Sequence, residues 1–278
     1  MEKASATGNT RQLFSPNRET GDKRQMISET VSEKNGTIIS SQDRRLERWK
    51  EHFEEQFNWP TTTLNLPSIH HLLEWDINTG PPSLNEVTKA VASLTRGKAA
   101  GPGGMTPEVF KDGGDSLLSA STKVLGNVWE SQTVASVWCK SSVIPTYKKG
   151  DKSSCDDDHR GISLTNMISK VLGSIIMRRL SGVREEQTRE KQAGFRPGRG
   201  CTDHIFTRRQ ILRHRNTYWR PTIVIFLDLK AVLDSLSQEV LWRCLAVKGM
   251  LRKYIALIKA LCWNSCNQRG ESLRRVVI

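Results

Sequence analysis

Pro221 to Ile225 is an apolar, β-branched run that continues into Phe226-Leu227-Asp228-Leu229-Lys230. Such a run predicts a buried strand. The strand delivers Asp228 at its end, with a second acid, Asp234, following six residues later. A carboxylate at the mouth of a buried strand is costly unless it meets a cation or a water-filled site. Held rigidly, it suits hard Mg²⁺, which prefers carboxylate oxygens and keeps positions open for phosphates. A strand-ending Asp can equally do no more than precede the next helix, with Ser235 or Ser237 as N-cap.

The charge narrows the chemistry. Across 278 residues, 42 Lys and Arg face 29 Asp and Glu, a net charge of +13, and the pI is near 9.7. A basic balance of this size points to polyanions, nucleic acid first among them, although a solvated basic face gives the same count. The cations gather: Lys148, Lys149 and Lys152; Arg178 and Arg179; then Arg208, Arg209, Arg213, Arg215 and Arg220. Tyr218 and Trp219 lie inside the last group, placed either to stack on a base or to pack against a sheet.

With 37% hydrophobic and 26% charged residues, the chain can bury a core and form one or two domains. Its mean hydropathy of −0.48 and the absence of a long apolar run argue against a membrane span. Met1 to Asn17 carries no apolar signal core, so the expected setting is intracellular, cytoplasmic or nuclear. The six cysteines (139, 155, 201, 244, 262 and 266) form no CxxC pair. They fit neither a zinc site nor a disulfide framework. Cys262 and Cys266, four apart on an expected helix, suggest core thiols rather than metal ligands, and a reducing setting is expected.

Four stretches follow along the chain. Residues 1–43 are polar and poor in aromatics, and are expected to be mostly flexible. Residues 44–82 hold an amphipathic helix, Arg44 to Asn58, with Leu46, Trp49, Phe53 and Phe57 on one face, and then a proline-rich linker. Residues 83–220 open on a helix capped by Ser83 and Glu86 and pass through a Gly/Pro loop, 97–104. Thr106-Pro107 then starts a helix, residues 115–130 read as another, and residues 142–147 read as a strand. Ile168 to Arg184 is a long helix with a core face of Ile168, Val171, Leu172, Ile175 and Leu180. A helix over 203–215 is capped by Thr202. Residues 221–278 hold the 222–228 strand and helices near 237–248 and 252–262. Alternation without internal repeats gives a mixed α/β (α+β), helix-rich chain.

Several segments occur in a telling order. They are Lys98-Ala99-Ala100-Gly101-Pro102, Ile144 to Asp151 (IPTYKKGD), Arg160-Gly161-Ile162-Ser163-Leu164, Gln192 to Arg199 (QAGFRPGR) and the Asp228 segment. Together they resemble the fingers and early palm of reverse transcriptases of non-LTR (LINE-type, RTE-like) retrotransposons, over about residues 28–270. The resemblance implies a right-hand polymerase fold with fingers and a partial palm, lacking the family's endonuclease and late palm motifs. It implies RNA-directed DNA synthesis, Mg²⁺ as cofactor, and an RNA template, a DNA primer and dNTP as partners.

The resemblance also assigns roles. Asp228 matches the first metal-binding aspartate, with the Leu229 backbone carbonyl assisting, while Asp234 suits a cap or ion pair. Lys148 and Arg160 belong to the segment that folds over the incoming triphosphate, with Lys149 the weaker of the two lysines. Physically, an Arg offers bidentate contacts to phosphate and a Lys a mobile point charge; a solvated hairpin would also carry them. Arg196 and Arg199, in a glycine-punctuated loop, are expected to meet template or primer phosphates. Gly97-Lys98 lacks the spacing of a Walker A loop.

This sequence departs from the family pattern in places. Leu233 stands where a bulky aromatic normally excludes the ribose 2′-hydroxyl, and Val232 replaces an Ala. Gly103 replaces Asp, His159 replaces Tyr or Phe, and Leu251 replaces Pro. No later pair of acids follows residue 239, and one aspartate cannot assemble a two-metal site. The expectation is therefore a fragment that is inactive alone. Its rivals are a non-catalytic basic RNA- or DNA-binding remnant and a chain that folds into nothing stable.

Overall fold

The structure, a computed structural model, describes residues 30–57, 73–148, 159–227 and 237–266. The chain divides into two compact units, one within residues 1–55 and 142–163 and the other within 56–141 and 164–272. Together the described residues form a helix-rich, mixed α/β chain with two small sheets.

The smaller unit is organised by the amphipathic helix read from the sequence, α1 (Gln42–Phe57). Just before it, within a stretch expected to be flexible, β1 (Val31–Ser32) pairs antiparallel with β2 (Ile38–Ile39). Val31 and Ile39, opposite each other, are both buried. Polar composition hid this short ladder, whose order comes from that apolar pair and from the charge of α1. The Arg44 guanidinium spans Glu33, at 2.6 and 2.8 Å, and Glu51, at 2.7 Å. Its hydrogen bonds, with its charge adding to them, hold the Glu33 carboxyl below the usual carboxylate range. Lys34 reaches Glu55 at 2.7 Å. β3 (Ser141–Tyr147) and β4 (His159–Thr165) form the second two-stranded sheet.

The larger unit is a helical core. α2 (Leu84–Ala92) starts as the sequence dictates: Ser83 Oγ accepts the Glu86 N–H, and the Glu86 carboxylate accepts the Ser83 N–H at 2.9 Å. Pro107 opens α3 (Pro107–Asp112), α4 (Gly114–Ser131) follows, and a 3₁₀ turn spans Ser136–Cys139. α5 (Met167–Gln187) buries the predicted stripe Ile168, Val171, Leu172, Ile175 and Leu180, and Asn166 caps its start. α2 packs on α4 and α5, while α7 (Gln238–Val247) packs on α8 (Arg252–Cys266). Cys262 lies partly buried against this core.

Residues 73–82, expected to be linker, lie strapped to the larger unit. The Trp75 N–H donates to the Gly249 carbonyl at 2.8 Å. Gly249 sits at φ +88°, and a Cβ there would meet the Leu73 carbonyl oxygen at 2.1 Å, so only glycine admits the strap. Trp129 Nε1 donates to Thr79 O and Tyr254 Oη to Asn78 O.

Two local expectations need correction. α6 (Cys201–Thr217) is capped at Gly200, whose N–H is accepted by Asp203, so Thr202 lies inside the helix rather than capping it. Residues 221–227 form no strand. Ile223, Ile225, Phe226 and Leu227 are each more than 70% exposed. A buried-strand pattern needs neighbours to complete its ladder, and the described residues offer this segment none.

Candidate nucleotide and nucleic-acid interface

The phosphate-binding candidates of the smaller unit are held by its second sheet. Val143 and Pro145 point inward from β3, and exposed Lys148 directly follows the strand's last residue. On β4, buried His159 is followed by exposed Arg160 and then by Gly161. The His159 ring lies edge-on to Trp49 at 4.8 Å and to Tyr147 at 5.6 Å. An aromatic socket thus surrounds the position where the resembled family carries Tyr or Phe. The other flank of Arg160 is equally tight. A Cβ on Gly161 would meet Phe53 Cε1 at 2.7 Å and Val143 Cγ1 at 2.9 Å. Trp49 and Phe53, stacked at 5.8 Å, are 1% and 0% exposed.

In the larger unit the 194–200 loop separates its two arginines. The Arg196 side chain is only 7% exposed and pairs with Glu185. It also donates to the carbonyls of Arg189 at 2.9 Å and Gln192 at 3.0 Å. Its guanidinium holds the Glu185 carboxyl below the usual range. Arg196 therefore fastens the loop, and Arg199 is the arginine presented to solvent. Phe195, at φ +59°, is 91% exposed. A non-glycine residue in the left-handed region stores strain of about 1 kcal/mol or more.

α6 buries none of its residues. Arg208, Arg209 and Arg213 are exposed, as is Arg220 just beyond the helix, and Arg208 lies over the Phe226 ring at 4.8 Å. Arg215 is turned inward on Thr222 Oγ1 and Pro221 O. Trp219 is 93% exposed, so among the described residues it has no sheet to pack against. The 97–104 loop does not form a phosphate cradle: a Cβ on Gly101 would meet the Thr165 carbonyl oxygen at 2.3 Å, so its glycine serves close packing against the start of α5.

Asp228, Leu229, Leu233 and Lys149 lie outside the described residues, as does Asp234. Among the described residues no three His, Cys, Asp or Glu side chains gather as a metal site. None of their helices is long and apolar enough to cross a membrane.

Two arrangements escaped the sequence reading. Arg179, counted there with the basic cluster, is 5% exposed and bonds Glu86 through Nε and Nη2 at 2.7 Å each. An Arg-Arg pair on a helix gives no sign of which member turns inward. The Trp49 and Phe53 face was legible as apolar, but its distant partners His159 and Gly161 were not.

Residues 147–276 match the family model described as reverse transcriptase (RNA-dependent DNA polymerase). A Xenopus laevis protein described as "Transposon TX1 uncharacterized 149 kDa protein" is 22% identical to this chain over 181 residues, covering 65% of it. The chain spans only 14% of that relative. The stretch from Tyr147 onward is thus similar to reverse transcriptases, and the chain is similar to a transposon protein.

Proposed function

We propose that this chain is the fingers and early palm portion of an RNA-directed DNA polymerase of the non-LTR retrotransposon type. The match of residues 147–276 to reverse transcriptases carries the reading. Lys148 and Arg160 face the triphosphate of an incoming dNTP from the ends of β3 and β4, and Lys149, outside the described residues, is the weaker lysine candidate. Arg199 meets the phosphates of an RNA template or DNA primer, and Arg196 holds the loop that presents it. Asp228, with the Leu229 carbonyl, supplies the first ligands for magnesium, which when bound neutralises phosphate charge during nucleotidyl transfer. Leu233, smaller than the aromatic usual at its position in the resembled family, would relax exclusion of ribonucleotides.

Two ions need more carboxylate than Asp228 offers, and on this reading residues 1–278 alone bind nucleic acid without extending a primer. The exposed arginines of α6 favour the same outcome.

The test is a primed RNA titrated with the pure chain over a range of salt. Affinity is expected to fall linearly in log–log form, with the slope reduced by about 1 in Arg199→Ala as one phosphate contact is lost. Salt-insensitive binding would remove phosphate contacts as its basis, and no binding would remove nucleic acid as partner. Extension that disappears in Asp228→Ala would show that the chain is a complete catalyst.

A further inference from the structure

Arg160 stands between two residues that α1 grips. On one side His159 is 3% exposed, its ring against Trp49 at 4.8 Å. On the other, Phe53 sits so close to Gly161 that no Cβ fits there. One turn of helix separates Trp49 from Phe53, so both contacts come from the same α1 face. Two backbone neighbours fixed in a buried socket leave the intervening residue one direction to point, which is outward, as alternation along a strand requires. Exposed Arg160 has that placement.

We infer that α1 is the clamp of the triphosphate-facing strand, and that Trp49 and Phe53 are positioning residues acting through His159 and Gly161 on Arg160. The inference rests on the reading of Arg160 as a triphosphate contact. A guanidinium recognises phosphate by two parallel hydrogen bonds, which tolerate little angular error. Rigid support is therefore worth affinity, because a misplaced group loses binding that its own chemistry would provide. The amphipathic segment ahead of the similarity to reverse transcriptases, which starts at Tyr147, becomes part of the nucleotide site without touching nucleotide.

The experiment uses the whole chain and Mg²⁺-dTTP as the probe, with amide hydrogen exchange over 159–163 as a second readout. Phe53→Ala is expected to weaken dTTP binding about tenfold and to speed exchange across these residues. Phe53→Leu should recover most of both. Gly161→Ala removes no group yet forces a Cβ against Phe53, so it should give the same loss, and Phe53→Leu in that background should partly restore binding. Such rescue separates positioning from simple loss of core. If Arg160→Ala abolishes dTTP binding while Phe53→Ala and Gly161→Ala bind normally, the clamp is overturned and the site stands. If the wild-type chain binds no dTTP, the site reading fails, and unchanged exchange in Phe53→Ala then overturns the clamp as well.

Discussion

Replacing Arg179 with alanine is expected to destabilise the larger unit by about 3 kcal/mol, because it removes a buried guanidinium that is hydrogen-bonded to a partly exposed carboxylate and to backbone carbonyls. Arg179 does more than pair with Glu86. Besides the two bonds to Glu86, it donates to Gly80 O at 2.6 Å, Asn78 O at 3.1 Å and Pro81 O at 3.2 Å. Its guanidinium lies 4.6 Å from the centre of the Trp129 ring. Alanine strands the Glu86 carboxylate and frees the 78–81 strap from its anchor. Arg179→Lys keeps one charge but cannot span the carboxylate and three carbonyls, so it should recover less than half of the loss.

The same pair sets an acid response. Hydrogen bonding to Arg179 is the main cause that brings the Glu86 carboxyl down to about 2; burial opposes it and the Ser83 N–H adds to it. A carboxyl depressed on folding contributes stability that is complete above its unfolded value of 4.5 and is lost as pH falls from there toward 2. The contribution is on the order of 2 kcal/mol after allowing for the partial exposure of Glu86. Urea unfolding at pH 7 and pH 3 checks both statements: wild type should lose stability on acidification, and Arg179→Ala should lose much less. Equal midpoints for wild type and Arg179→Ala at pH 7 would contradict this account of the strap.

Trp129→Ala carries the other large effect. The ring is fully buried, edge-on to Tyr254 at 5.4 Å and 88°, with the Arg179 guanidinium on its face and Nε1 bonded to Thr79 O at 2.8 Å. Truncation removes the largest side chain at that junction and should cost about 3–5 kcal/mol. Trp129→Phe keeps an aromatic face and loses the hydrogen bond, for about 1–2 kcal/mol. Because Trp129 and Arg179 touch each other and hold the same strap, their losses should not add. The double variant should fall short of the summed single effects by about 1 kcal/mol or more, measured by the same denaturation. Strict additivity would mean that the strap is held by independent contacts.

The sequence disclosed the helices whose causes are local. Ser83 and Glu86 close their capping box, Pro107 opens its helix, and the stripe from Ile168 to Leu180 is buried along one face. It disclosed less where the cause is distant. The 222–228 pattern is that of a buried strand, but alternation and apolarity state only what a segment can pair with, not whether the pair is present. Charge misled in a related way: Arg179 and Arg196 look like nucleic-acid contacts in a basic chain, and both are turned inward on carboxylates and backbone carbonyls. Arg160 and Arg199, the exposed members, carry no local mark that distinguishes them. The β1–β2 pair, only two residues per strand, lies below the length at which alternation is readable.

On the proposed reading, Lys148 and Arg160 face a nucleoside triphosphate. The most direct test is photo-crosslinking with dTTP carrying an aryl azide on the γ-phosphate, in the presence of Mg²⁺ and primed RNA, followed by peptide mapping. Label concentrated in residues 144–165, competed by unmodified dTTP and lost in Arg160→Ala, is the predicted result. Label that falls elsewhere, or that excess dTTP does not displace, would contradict the claim.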